Sequence, residues 1–128
     1  MAATVASQTI HNGARNLVVK SFVSGTTGDI TDTVIVDVSA IDSGIGVNGL
    51  TLTEIDWNVT GFTAALEWDA TTDVGLIQLD GEGHQDFRAV GGIKNNAGSG
   101  ATGDVLITTT GYTASGDGGH IVMKFRKT

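Results

Sequence analysis

The chain has 128 residues, no cysteine and a formal net charge of −7. This length suits one domain with its own core, and the lack of cysteine excludes disulfides and thiolate metal sites. The acidic balance repels phosphate backbones, and an aromatic content of 5% gives little material for base stacking, so we expect no nucleic-acid partner. The first ten residues lack the basic region and the long apolar run of a signal peptide or membrane span, which predicts synthesis in the cytoplasm without membrane association.

Short runs rich in Val, Ile, Leu, Thr and Phe recur about every ten residues, each closed by Gly, Asp, Ser or Asn. This spacing is typical of a two-sheet sandwich or jelly roll, and no segment has helical periodicity. The sequence therefore predicts an all-β, single-domain β-sandwich of jelly-roll type with about eight strands, formed by residues 14–128. An extended N-terminal arm, residues 1–13, precedes it.

Residues 1–13 are small and polar, with only scattered apolar side chains. Such a terminus is ordered only where something holds it, either the domain's own sheet edge or another subunit. Main-chain pairing with a neighbouring subunit is one way to hold it. We therefore assign partner binding to this region, at Val5, Ile10, His11 and Arg15.

The next two strands are predicted at residues 15–24 and 33–41, joined by a turn. Apolar residues alternate along the second of these strands and are expected to share one face: Val34, Val36, Val38 and Ala40. Residues 42–49 are rich in glycine but lack the lysine and the strand-to-helix context of a phosphate-binding loop, so we interpret them as a connector.

In residues 50–60 the apolar side chains alternate with polar ones, but they occupy even-numbered positions before Thr53 and Glu54 and odd-numbered positions after them. A β-bulge at that point reconciles the two parities.

A turn at Gly61 is expected to lead into a strand at residues 63–69, which places Trp57 and Trp68 on adjacent strands of a hairpin. We interpret both as core aromatics, with a ligand-stacking pair as the alternative.

Strands at residues 74–80 and 87–90 flank a segment in which Asp80, Glu82 and Asp86 are interspersed with glycine. The spacing loosely resembles a calcium loop, but the bidentate glutamate at the twelfth position is missing, and Asp-Gly between strands is first of all a turn signal. We therefore predict no metal and no other cofactor, and keep these three carboxylates as a weak metal candidate.

The last strands are predicted at residues 104–110 and 120–127. The core is predicted to contain Val36, Val38, Leu66, Trp68, Ile107, Met123 and Phe125.

No catalytic signature accompanies these strands. No serine lies in a Gly-x-Ser-x-Gly elbow, and no cysteine is present to replace it. Glu67 and Asp69 point the same way on one strand, but a chain this short leaves little room for a sugar cleft. His11, His84 and His120 are far apart in the sequence, so nothing specifies a zinc site. We expect no enzymatic activity.

Several segments resemble the head decoration, or cement, proteins of tailed bacteriophages. The likeness spans most of the chain and lies in Thr9-Ile-His-Asn-Gly13, Arg15-Asn-Leu-Val-Val-Lys20, Val36-Asp-Val-Ser-Ala40, Leu66-Glu-Trp-Asp-Ala70, Ala101-Thr-Gly-Asp104 and Phe125-Arg-Lys127. The resemblance implies a β-sandwich on the outer surface of the virion capsid, made in the host cytoplasm, that binds the major capsid protein, bridges capsid subunits and resists internal pressure.

Shell stabilisation by so small a domain requires multivalent attachment, so we expect a homo-oligomer, with a local trimer as one arrangement. Two alternatives remain open at this point: a tail or baseplate structural subunit, and a carbohydrate-binding virion adhesin. The adhesin would need an exposed aromatic platform.

Overall fold

A computed structural model of the protein describes residues 3–42 and 44–127, and these are nearly all β. The strands are β1 (Thr4–Asn12), β2 (Asn16–Ser24), β3 (Thr33–Val36), β4 (Leu50–Trp68), β5 (Val74–Asp86), β6 (Ile93–Lys94), β7 (Val105–Thr110) and β8 (Gly118–Lys127), with one helical turn, α1 (Val38–Ile41), and a 3-10 turn at Arg88–Val90. The all-β, single-domain prediction is confirmed. Within the described ranges, no helix has the length and apolar character needed to cross a membrane.

The strands form one antiparallel sheet in the order β1-β2-β8-β4-β7-β3, with β5 and β6 paired to β4. The first part of β4 pairs with β8 and the last part with β7, while β5 accompanies both parts. The ladders are interrupted around Gly61, whose φ of +85° suits a bulge and a change of strand direction. We call β1, β2, β8 and the adjoining parts of β4 and β5 the wide layer, and β3, β7 and the remainder of β4 and β5 the narrow layer.

The core lies between these two layers. All seven residues predicted for the core are buried, which confirms the periodicity argument. Trp68 of the narrow layer packs against Phe125 of the wide layer, with ring centroids 6.3 Å apart. Because β1 and β3 also approach each other at the open side, the two-layer sandwich is nearly closed into a barrel.

The segment predicted as an arm is the first strand of the wide layer. β1 pairs with β2 along its whole length, from Thr4 opposite Ser24 to Asn12 opposite Leu17. The amide of Ala3 donates to the Gly28 carbonyl at 3.2 Å and fixes one end of the strand. The domain's own sheet edge therefore holds this segment. Met1 and Ala2 lie outside the described residues.

Two features of β4 follow from its bulges. The bulge predicted near Thr53 and Glu54 is confirmed, because the register with β8 shifts between Leu52 and Glu54. The hairpin predicted at Gly61 is wrong, since Trp57 and Trp68 lie on the same continuous strand. A glycine at positive φ bulges the chain here without reversing it.

Three other predicted elements differ, and one of them is the strand predicted at residues 87–90, which is a 3-10 turn at Arg88–Val90. The strand predicted over residues 33–41 ends at Val36, because the Asp37 carboxylate caps α1 by accepting from the amides of Ser39 and Ala40 at 3.2 and 3.3 Å. Val34, predicted to face inward, is 45% exposed. The acidic segment predicted as a loop at residues 80–86 is the second half of β5.

Candidate interaction surfaces

The wide layer has one face on the core and one in solvent. Odd-numbered residues of β2 and β8 from Leu17 to Val23 and from Ile121 to Phe125 are buried, so the even-numbered ones point outward. The register aligns these outward residues in three rows across β1, β2, β8, β4 and β5. The rows are Ala6-Phe22-His120-Asn58-Glu82, Gln8-Lys20-Val122-Asp56-His84 and His11-Val18-Lys124-Glu54-Asp86. We call this surface the outer face.

Charge is divided across the outer face. The strands β1, β2 and β8 contain no acidic residue. They and the β1–β2 turn hold five of the seven Lys and Arg residues of the chain: Arg15, Lys20, Lys124, Arg126 and Lys127. The neighbouring strands β4 and β5 carry the acidic residues of the face. Of these five, Lys20 and Lys124 belong to the three rows of the outer face, and Lys127 is paired with Asp42. Lysine therefore lies on the β2 and β8 strands of the outer face, and the carboxylates lie on β4 and β5.

Phe22 is an exposed apolar side chain on this face. Its side chain is 50% exposed and pairs across the sheet with Ala6 and His120, and Lys20 is the next outward residue on β2. Aromatic side chains are enriched at protein interfaces, so this ring marks a candidate contact.

The other aromatic side chains do not form a platform. All seven aromatic residues fall within the described ranges, and apart from Phe22 they are buried or half-buried. Trp57 lies over its cross-strand neighbour Gly83, where a Cβ would approach the ring to 2.5 Å, and its Nε1 donates to the Asp80 carbonyl at 3.1 Å. The core interpretation holds for Trp68, and Trp57 is half-buried against the core while its ring also covers the edge strand β5.

Ion pairs occupy the end of the outer face near the 3-10 turn. Glu54 is buried between the Lys124 amine at 3.1 Å and the Arg88 guanidinium at 3.0 Å. Arg88 also binds Asp86 at 2.6 Å, and its hydrogen bonds lower the pKa of that carboxyl to about 2. Asp86 is therefore engaged by a cation of the chain itself.

The middle of the outer face has fewer ion pairs than this end. His84 Nδ1 lies 2.5 Å from Asp56 Oδ1, and both side chains are about half exposed. Across the residues that the structure describes, Lys20 and Glu82 form no ion pair. These two charges remain open to a partner.

The three weak metal candidates are spread along β5. Asp80 lies opposite Thr63, Glu82 opposite Asn58 and Asp86 beside Arg88. In the described ranges, the group of carboxylates close enough to share an ion is a different one, Asp32, Glu67 and Asp73, whose ligand atoms lie within 4.8 Å of one another.

This carboxylate cluster was not apparent in the sequence, because its members come from three separate segments. The sequence analysis identified one member of the cluster, Glu67, but paired it with the carboxylate of Asp69. In the structure Asp69 instead accepts a hydrogen bond from the Thr102 hydroxyl at 2.8 Å. The Thr108 hydroxyl lies 3.2 Å from Glu67 and 3.1 Å from Asp32. Burial raises the pKa of Glu67, and the neighbouring negative charges add to this effect.

A second surface lies where the β1–β2 turn, residues 44–49, the 3-10 turn and the end of β8 meet. Lys127 Nζ donates to the Gly13 carbonyl at 2.7 Å and binds Asp42 at 2.8 Å, and Arg126 donates to the Gly91 carbonyl at 3.0 Å. Residues 44–49 are held by Asn95, whose side-chain amide donates to the Val47 carbonyl at 3.2 Å. We call this surface the loop end.

Three of the five large apolar side chains that are exposed among the described residues lie at or near the loop end. They are Ile10, Val47 and Val90, at 54%, 52% and 79% exposure. Of the predicted partner-binding residues, Ile10, His11 and Arg15 lie at or near this end. Val5 lies towards the opposite end of β1 and is half-buried against the core.

Comparisons with family models, curated proteins and solved structures give no match.

Proposed function

We propose that this protein decorates the outside of a phage head, with the loop end binding the major capsid protein and bridging neighbouring capsid subunits. The observation that carries the proposal is that Ile10, Val47 and Val90, three exposed large apolar side chains, belong to segments at or near the loop end. Exposed aliphatic side chains gathered on a small domain favour an interaction surface there. The sequence resemblance to decoration proteins favours a capsid as its partner.

The loop end has the chemistry of a moderate-affinity contact. Arg15 lies in the β1–β2 turn, which is part of the loop end, so a partner would need apolar surface with acidic groups at its rim. The segments of the loop end are held together by the hydrogen bonds of Lys127 and Arg126. Binding therefore requires little ordering of the chain, which lowers its entropic cost.

The carbohydrate-binding alternative has less support. Sugar-binding sites commonly use an exposed aromatic platform, whereas Trp57 is turned onto Gly83 and Trp68 is fully buried. A tail or baseplate subunit would use the same kind of surface, so the choice of partner separates it from a head protein.

The test is co-sedimentation of the purified protein with empty phage heads that lack it. Co-sedimentation with isolated tails and binding to a glycan array are measured in parallel. Val47→Asp and Val90→Asp place a charge on the loop end without touching the core, and we expect each to weaken head binding at least tenfold, about 1.4 kcal/mol. Val34→Asp is the matched control, because the same change is made at a valine 45% exposed on β3. It should bind heads as the unaltered protein does.

Binding to tails alone would assign the protein to the tail, and binding to glycans would favour the adhesin. An equal loss in Val34→Asp would show that the loop end is not the contact. Particles lacking the protein should also lose resistance to heat and chelators, and unchanged resistance would refute a stabilising role.

A further inference from the structure

We propose that two copies of this chain pair through the free edge of β1, so that their wide layers join into one continuous antiparallel sheet. β1 forms main-chain hydrogen bonds with β2 along one side. Among the residues that the structure describes, further main-chain hydrogen bonds occur only beyond its two ends: the Ala3 amide donates to the Gly28 carbonyl at 3.2 Å, and the Gly13 amide closes the β1–β2 turn. The edge between these ends is open. The proposal uses a different surface from the loop end and goes beyond head binding.

β1 has few of the features that keep the edge strands of natural sheets from associating. Protected edge strands are short, or carry charged side chains or proline. β1 is nine residues long and contains no proline and no Lys, Arg, Asp or Glu. Its one irregularity, a register shift between Thr9 and His11, leaves Thr4–Thr9 in regular register with β2. This segment is therefore an unblocked template for another strand.

The other edges of the sheet are protected. β3 has only four residues, with Asp32 before it and Asp37 after it. β5 is long, but it carries three carboxylates, Asp80, Glu82 and Asp86. β1 is thus the one long, uncharged edge among the described strands. Because each copy has a single such edge, pairing through it ends at a dimer and does not grow into a fibre.

The inner side of β1 is also uncovered. Ser7 and Thr9 lie opposite Ser21 and Val19 of β2, which are buried, yet Ser7 and Thr9 themselves are exposed. β3 and α1 lie across a groove of about 210 Å³ from these two residues and do not cover them. The narrow layer therefore stops short of β1 and leaves room for a neighbouring molecule.

The charges of the protein favour a second copy as that neighbour. Two copies with a net charge of −7 repel each other, and the repulsion is weakest where acidic side chains are absent. The strands β1, β2 and β8 contain none. A two-fold axis perpendicular to the sheet sets β1 antiparallel to itself, so that uncharged side chains meet uncharged side chains along strands of equal length.

The symmetry fixes which residues meet. The axis passes through one residue of Thr4–Thr9, and that residue lies opposite its own counterpart. With the axis at Ser7, Val5 of one copy lies opposite Thr9 of the other, and such β-branched pairs suit a sheet. A single short strand from each copy gives a small interface, so we expect a weak dimer whose amount depends on protein concentration.

Single cysteines test the contact directly, because the chain has no cysteine of its own. Ala6→Cys, Ser7→Cys and Gln8→Cys are each oxidised and compared on a non-reducing gel. Opposite residues of an antiparallel pair have Cα atoms about 4.5–5.5 Å apart, which a disulfide can span. The variant with its cysteine on the axis should give covalent dimers, and the other two should give fewer. Gln78→Cys, at an exposed position of the β5 edge, is the matched control and should stay monomeric.

A charge on the edge should block the pairing, as it does in natural edge strands. Ala6→Lys and Gln8→Lys should each weaken dimerisation at least tenfold in sedimentation velocity over a range of protein concentrations. Both changes reduce the net negative charge of the protein, so general repulsion cannot account for such a loss. Gln78→Lys makes the same change in charge on β5 and should dimerise as the unaltered protein does. Circular dichroism verifies that the strands are kept.

A protein that is monomeric at every concentration overturns the proposal, and so does a Gln78→Cys variant that cross-links as well as the β1 variants. An equal loss in Gln78→Lys and Ala6→Lys would show that the edge of β1 is not the contact. If the unaltered protein is monomeric and Ala6→Lys weakens head binding, the edge belongs to the capsid protein and not to a second copy. The head-binding test changes Val47 and Val90 of the loop end, so either proposal can fail without the other.

Discussion

Replacing Gly119 by alanine should destabilise the fold, although it adds a single methyl group. Gly119 lies in β8 opposite Val59 of β4, and a Cβ there would meet the Asn58 carbonyl oxygen at 2.1 Å and the Val59 Cα at 2.8 Å. The first distance is roughly 1.3 Å inside ordinary contact, which begins at 3.4 Å. Both obstacles are backbone atoms, so β4 and β8 must separate.

Overpacking of this kind costs about 1–3 kcal/mol, and the reduced freedom of the unfolded chain offsets about 0.4–1 kcal/mol of it. The net loss is then about 1.3 kcal/mol at the centre of these ranges, and for a domain of this size we expect the Tm to fall by about 5 °C in scanning calorimetry. The matched control is Gly75→Ala, in β5, where no atom lies within 4 Å of the added Cβ. This variant should melt at or above the unaltered protein, and a Gly119→Ala variant as stable as Gly75→Ala would refute the close approach of the two strands.

Three further predictions concern the core, the first strand and the carboxylate cluster. Phe125→Ala removes a ring packed on Trp68 and should cost about 3–5 kcal/mol in urea unfolding; a loss below about 1 kcal/mol would contradict its place in the core. Deletion of residues 1–13 removes β1 and uncovers Val19, so the Tm should fall clearly, whereas an arm lying outside the sheet would leave it unchanged. Glu67→Gln should raise the Tm at pH 7: because the folded-state pKa of Glu67 lies above its unfolded value, ionisation opposes folding at higher pH. This gain should vanish as the pH falls through the raised pKa, and a gain independent of pH would contradict the effect.

The buried strands could be predicted from the sequence because a strand with one buried face alternates apolar and polar residues. Val36, Leu66 and Phe125 are buried as expected, and the parity change near Thr53 located a real bulge. The second half of β5 gave no such signal. It is an edge strand with little burial on either side, so its Gly and Asp residues look like a loop.

The surfaces were less predictable than the core. Ile10, His11 and Arg15 were identified as binding residues from the weak apolar content of the N-terminus, and they lie at or near the loop end. The rows of the outer face depend on β8 lying between β2 and β4, which one sequence does not specify. The cluster of Asp32, Glu67 and Asp73 likewise depends on tertiary structure, since its members are far apart in sequence.

The position of β8 has a consequence for biosynthesis. β8 is the last strand of the sheet in chain order and the one that joins β2 to β4, so the β1–β2 hairpin has no neighbour in the wide layer until residues 118–127 have been synthesised. The sheet cannot close before that point, and until then the hairpin exposes the apolar residues that β8 later covers. Nascent chains stalled before Gly118 should be sensitive to protease and bound by chaperones, whereas chains in which β8 has left the ribosome should be protected.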